Sequence, residues 1–203
     1  MTQRLIEKYK VKLENDDLKE NIRSYFDWFN RIEVYNHTLE VVAEVQKLHQ
    51  IYSFDLAQCE IAAYMHDLGR VVEPTDIVKF CEENGHVFKP GEREVPSILH
   101  QKASRIIGQQ VFKIENEDIL NAIGCHTTLK ANPSEIDMIV FLSDKLSWTE
   151  AELNVLTEAM SVKAQTSKEE AIIHYLSHMH INRQKLKCYH QWSEEAYEYF
   201  TKK

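Results

Sequence analysis

A chain of 203 residues is long enough to bury one sizeable core. Hydrophobic residues make up 43% and charged residues 28%, and with only 5 Gly and 4 Pro the composition is globular and favours helices over strands. A net charge of −8 excludes the dominant basic surface of a nucleic-acid binder, but not a small phosphorylated ligand neutralised by metal ions and a few local bases.

Residues 1–15 read as a polar helical or frayed lead. Asn15-Asp16-Asp17 starts a helix carrying Leu18, Ile22, Tyr25 and Phe26. A second helix is predicted over about 32–50. A third opens at Phe54-Asp55, carries His66-Asp67 and stops near Gly69. Pro74 begins a segment in which Ile77, Val78, Phe80 and Cys81 form one short helix before Gly85. Residues 84–97, with Gly85, Pro90, Gly91 and Pro96, are the longest stretch without structure, and their place between candidate ligands makes them a rim or lid. Helices follow at about 97–112, 116–127 and 134–148, and in the tail near 150–161, 167–182 and 193–201. The expected fold is all-α and a single helical domain over 1–203: an N-terminal helical extension over 1–30, a core over 31–148 and C-terminal helices over 149–203.

No apolar run approaches the roughly 20 residues of a membrane span. Residues 1–8 are charged early and lack a signal-type apolar segment. A cytoplasmic protein without a membrane partner is expected. Cys59, Cys81, Cys125 and Cys188 are scattered without a C-x-x-C pair and read as reduced, mostly buried thiols.

The chemistry lies in polar residues on faces that should be buried. His37 shares a stripe with Val41, Val45 and Leu48, and His66 with Cys59, Ala62 and Ala63. His100 aligns with Ala103 and Ile107, His126 with Ile119, Ala122 and Ile123, and Asp144 with Ile136 and Val140. A lone histidine on such a face reads as a satisfied core residue, and a lone aspartate as a cap or ion pair. Five segments doing the same call for metal, because buried charges are normally paired or metal-bound. Imidazole nitrogen with carboxylate oxygen suits zinc, iron, manganese or nickel. His37, His66, Asp67 and Asp144 make one site; His100 and His126 hold a second ion, with Asp67 as the bridge. His174 and His178 have metal-pair spacing, but Ile172, Leu176 and Met179 form the apolar stripe there, so both histidines read as solvated.

The pattern His37, His66-Asp67, Asp144 resembles the HD superfamily of metal-dependent phosphohydrolases. Leu99-His100 and His126-Thr127-Thr128 are similar to motifs of its bacterial symmetrical bis(5'-nucleosyl)-tetraphosphatase branch. The resemblance implies an HD-domain helical bundle and two divalent metal ions, with iron first and manganese, cobalt or zinc as alternatives. It also implies symmetrical hydrolysis of diadenosine tetraphosphate to two ADP by a metal-activated water. Its partner is a small nucleotide, and the chain acts alone or as a homodimer.

Around the ligands Asp67, His100, His126 and Asp144, Arg70 and Lys145 either stabilise phosphoryl charge or form ion pairs. Thr127 and Thr128 either contact phosphate or cap their helix. For the adenine and ribose the resemblance points to Lys187, Tyr189, His190 and Trp192; the alternative is that Tyr189 and Trp192 pack the tail onto the bundle. The chain departs from the branch at Arg70 (usually Lys), at Leu129 (usually Gly), from Lys145 through Glu150 (usually continuing to Ile-Glu-Pro), and at Gln191 (usually Pro). Another HD phosphohydrolase, such as a nucleoside monophosphate nucleotidase, and a non-catalytic nucleotide sensor are the competing functions.

Overall fold

The computed structural model describes residues 4–148 and 154–202. Its core helices are α1 (Leu18–Trp28), α2 (Ile32–His49), α3 (Leu56–Met65), α4 (Ile77–Glu83), α5 (His100–Gln110), α6 (Glu117–Cys125) and α7 (Glu135–Leu146). The tail adds α8 (Asn154–Ala164), α9 (Lys168–Ile181) and α10 (Gln191–Thr201). No strand occurs among the described residues. The predicted start of the helix near 150–161 lies outside them.

Local chemistry sets most of the helix starts. The side chains of Asp17, Asp55 and Asn116 accept backbone N–H groups of the first turns of α1, α3 and α6. Ser134 and Asp137 form a reciprocal capping box at α7. Leu129, between α6 and α7, is fully buried with φ 58°, a left-handed backbone in which glycine alone is free of strain. The expectation of glycine there has this physical basis.

One contiguous core runs from Ile6 to Ala196. α2 packs on α3 and α7, and α6 lies between α5 and α7. Behind them, α9 packs on α7 through an edge-on contact of Tyr175 with Phe141, and α8 and α10 flank α9. The lead, expected to be helical or frayed, is helical over residues 5–9 only, with no regular structure over 10–15. Leu5–Tyr9 forms a 3-10 turn that buries Ile6 and Tyr9, and the Tyr25 hydroxyl donates to the Tyr9 carbonyl at 2.9 Å.

Residues 84–97 are exposed at several points, Val87 among them, but are pinned at one buried residue. Glu92 is fully buried. It accepts from His86 Nε2 at 2.7 Å, His190 Nε2 at 3.1 Å and the Lys89 backbone N–H at 2.8 Å, which ties the loop to the tail. No helix among the described residues is long and apolar enough to cross a membrane. Cys59, Cys81 and Cys125 are buried free thiols, and Cys188 is half-buried.

Candidate metal centre

Three of the histidines are positioned by the same local device. His66 follows the last residue of α3, His126 follows the last residue of α6, and His100 follows a 3-10 turn over Pro96–Leu99. Each ring folds back on its own helical turn. The Nδ1 of His66 donates to the Ala63 carbonyl at 2.7 Å, that of His100 to Ser97 at 2.5 Å, and that of His126 to Ile123 at 2.9 Å. A carbonyl only accepts, so the proton sits on Nδ1 and each neutral ring presents a bare Nε2 lone pair.

Those lone pairs converge. The Nε2 atoms of His100 and His126 stand 3.0 Å apart, with the Thr127 hydroxyl 3.1 Å from each. One hydroxyl proton satisfies one of them and leaves the other facing an acceptor. His66 Nε2 is buried with no hydrogen-bond partner, and so is Asp67 Oδ1. Ligand atoms of His37, His66 and Asp67 lie within 4.8 Å of one another, as do those of Asp67, His100 and His126. Bare nitrogen donors, orphaned buried atoms and two carboxylates in one place fit divalent cations.

Asp67 joins the two groups. Its Oδ1 lies 3.3 Å from His100 Nε2 and 3.6 Å from His126 Nε2, while its Oδ2 lies 3.6 Å from His66 Nε2. Asp144 Oδ1 lies 3.3 Å from His37 Nε2 and 3.6 Å from His66 Nε2. Burial pushes the carboxyls of Asp67 and Asp144 upward, yet both are held well below the usual range, Asp67 by His66, His126, His100 and Arg70, and Asp144 by Lys145 and the histidines. Burial lowers His66 to about 4 and His100 to about 3. Burial acts downward on His37 too, but Asp144 outweighs it and the ring is raised. His66 and His100 are thus held as neutral nitrogens, and Asp67 and Asp144 as anionic oxygens, the forms that ligate.

The residues expected around the centre separate into three groups. Arg70 stays at it: its Nε donates to Asp67 Oδ2 at 2.5 Å and its side chain is half exposed. Two clefts meet at Arg70, Glu33 and Val34. One, of about 300 Å3, continues along His37 and Trp148; the other, of about 560 Å3, along His100, Arg31 and Lys187. Residues 94–97 wall the larger one, so four of the fourteen residues of the expected rim border it.

Lys145 and Thr128 face inward. Lys145 is buried, with Nζ donating to Asp144 Oδ2 at 2.5 Å and to the His126 carbonyl at 3.2 Å, under the rings of Trp148, Phe141 and Tyr175. The Thr128 hydroxyl donates to the Leu129 carbonyl and meets Gln101, a fully buried residue that also accepts the Thr127 backbone N–H.

Tyr189, His190 and Trp192 lie with the tail. Tyr189 packs on His180, and His190 is buried on Glu92 while capping α10. Trp192 lines a separate cleft beside Lys102, whose ammonium burial lowers to about 7. Of the other histidines, His174 is half-buried and His178 exposed. Trp148, Arg31 and Gln101 were not singled out from sequence. Trp148 alone left a signal, four residues beyond Asp144 and so on the same helical face.

Residues 34–149 match the HD domain family. An uncharacterised protein of the pepC 5' region of Lactococcus lactis is 39% identical over 140 residues, covering 69% of this chain and 71% of that protein. The symmetrical bis(5'-nucleosyl)-tetraphosphatase of Halalkalibacterium halodurans is 27% identical over 143 residues, 68% of this chain and 73% of its own. A crystal structure from Clostridium acetobutylicum, described as a "predicted HD superfamily hydrolase involved in NAD metabolism", superposes with a TM-score of 0.79 at 25% identity, covering 90% of this chain and 96% of that one.

Proposed function

Because the chain belongs to the HD domain family, we propose that it is a metal-dependent phosphohydrolase that splits diadenosine tetraphosphate symmetrically into two ADP. Asp67 carries the reading: its two oxygens face different sets of imidazoles, the arrangement expected of a bridge between two cations. Divalent ions held by His37, His66, Asp67 and Asp144 on one side, and by Asp67, His100 and His126 on the other, would supply Lewis acidity and a water acidified toward neutral pH.

The chain's own residues do the rest. Asp67 anchors Arg70 so that its guanidinium borders both clefts, where it meets phosphoryl oxygens. Arg31 and Lys187 add positive charge along the larger cleft, and Trp148 offers an aromatic surface along the smaller. A phosphate chain with a nucleoside at each end needs room on both sides of the reacting centre, and the paired clefts supply it. Lys145 neutralises Asp144 and fixes its orientation rather than touching substrate. The relative from Halalkalibacterium halodurans, named for this activity, supports the substrate.

The test is product analysis on metal-loaded protein. Diadenosine tetraphosphate should yield ADP alone. AMP with ATP, or no turnover with iron, manganese or cobalt, would reject the proposal. Phosphate release from nucleoside monophosphates with the tetraphosphate untouched would move the site to a monoester nucleotidase. Tight ADP retention without turnover would make it a sensor.

A further inference from the structure

Trp192 stands apart from the metal centre. Its cleft, of about 590 Å3, shares no lining residue with the two clefts at Arg70 and has the size of a small-ligand site. The charged lining is Lys89, Lys102, Arg105 and Lys130, with no carboxylate in the lining. Two of these cations are already answered: Arg105 meets Glu117 at 2.8 Å and Lys130 meets Asp137 at 2.9 Å. Lys89 and Lys102 have no acid within ion-pair reach among the described residues.

Lys102 is only 6% exposed. Its Nζ donates to the Gly124 carbonyl at 2.6 Å and lies 3.2 Å from the centroid of the Trp192 ring, and Lys89 Nζ reaches the same ring at 5.5 Å. One carbonyl dipole and a π face replace only part of the hydration that a buried ammonium gives up. An anion in the cleft would complete its environment. The walls are held ready for one, because Glu92 clamps the loop bearing Lys89 to the tail bearing Trp192 through His86 and His190.

We infer that this cleft is a second binding site, for a small phosphorylated anion whose phosphate is reached by both Lys89 and Lys102 beside Trp192. Two ammonium groups lining one cleft, both within 5.5 Å of the Trp192 ring, match the charge of a phosphate dianion, and the aromatic Trp192 and Phe88 offer a surface to a nucleoside attached to it. The site is independent of the metal centre and of what that centre hydrolyses.

The experiment is calorimetric titration of the metal-stripped full chain with inorganic pyrophosphate and, separately, with ADP. One saturable site is expected for each, weakening with added salt. Lys102→Met and Lys89→Ala should each weaken it about tenfold or more, while Arg70→Ala leaves it unchanged. Equal affinities mean that phosphate alone is read, and tighter ADP adds the nucleoside; either supports the site. Should Lys102→Met fail to fold by circular dichroism, Lys89→Ala, at a half-exposed side chain, decides. No binding of either ligand, binding indifferent to the lysine variants, or binding lost in Arg70→Ala would overturn the proposal.

Discussion

At the scale of single residues, the centre rests on protons being kept in particular places. The backbone carbonyls of Ser97, Ala63 and Ile123 hold protons on Nδ1, which frees Nε2. Asp67 serves both ligand groups, so Asp67→Ala should strip both. Elemental analysis should find bound metal reduced to background, and turnover should fall by more than about 100-fold, beyond the loss typical of an outer-shell partner. Retained metal in that variant would place the ions elsewhere. The histidines also set an acid limit for the metal-free protein. His66 at about 4 and His100 at about 3 are depressed from the ordinary 6.5. Between 6.5 and those values the unfolded chain binds protons that the folded chain refuses, so stability is full above 6.5 and is lost as pH falls below it. From pH 7 to pH 5 this costs at most about 2 kcal/mol for each histidine. Urea unfolding of metal-stripped protein at the two pH values should show the loss, and His66→Gln should reduce it. Five of the six candidate ligands were legible in the sequence because a stripe needs only helical periodicity, and Asp67 through its neighbour His66. The place of Lys145 was not: it is buried by Phe141 and Trp148 from its own segment and by Tyr175 from α9, and no local pattern announces a distant helix as its cover.

At the scale of elements, predicted helices meet observed ones with ends shifted by a few residues, because Asp17, Asp55, Ser134 and Ser167 write their starts into the chain. The candidate ligands His66 and His126, however, sit just past a helix, and His100 at the junction of a 3-10 turn with α5, and that offset was not readable. It arises where α3 gives way to a 3-10 turn over Leu68–Val71 that packs on α5. Gly69 is the contact point: its N–H donates to Ser104 Oγ at 2.8 Å, and an added Cβ would strike the His100 carbonyl oxygen and the Ser104 backbone nitrogen. Gly69→Ala therefore pushes the turn bearing Asp67 away from the helix bearing His100. Destabilisation of about 1–3 kcal/mol is expected, with weaker metal affinity measured alongside the urea midpoint. Gly108→Ala on the same helix, where a Cβ meets nothing nearer than 3.6 Å, is the control and should be neutral or mildly stabilising. Equal effects of the two would remove the spacing argument.

At the scale of the whole molecule, the ligands come from α2, α7 and the ends of three further helical segments, so cations held among them fasten elements that are far apart in the chain. The fold nevertheless has a core that does not depend on them, running from Ile6 to Ala196. Metal should then stabilise the folded chain without being required for it, unlike a zinc finger, whose core is too small to stand alone. At free metal 100 times the dissociation constant, each site adds about 2.7 kcal/mol. For a domain of this length that corresponds to roughly 5–11 °C in melting temperature for one site. Chelation should lower the midpoint by at least that amount while far-ultraviolet circular dichroism keeps its helical form. Asp67→Ala should melt near the chelated wild type and show no response to added metal. If chelation instead abolishes the helical signal, the core is not self-sufficient. If it leaves the midpoint unchanged, the bare Nε2 atoms of His66, His100 and His126 are held together by the protein alone.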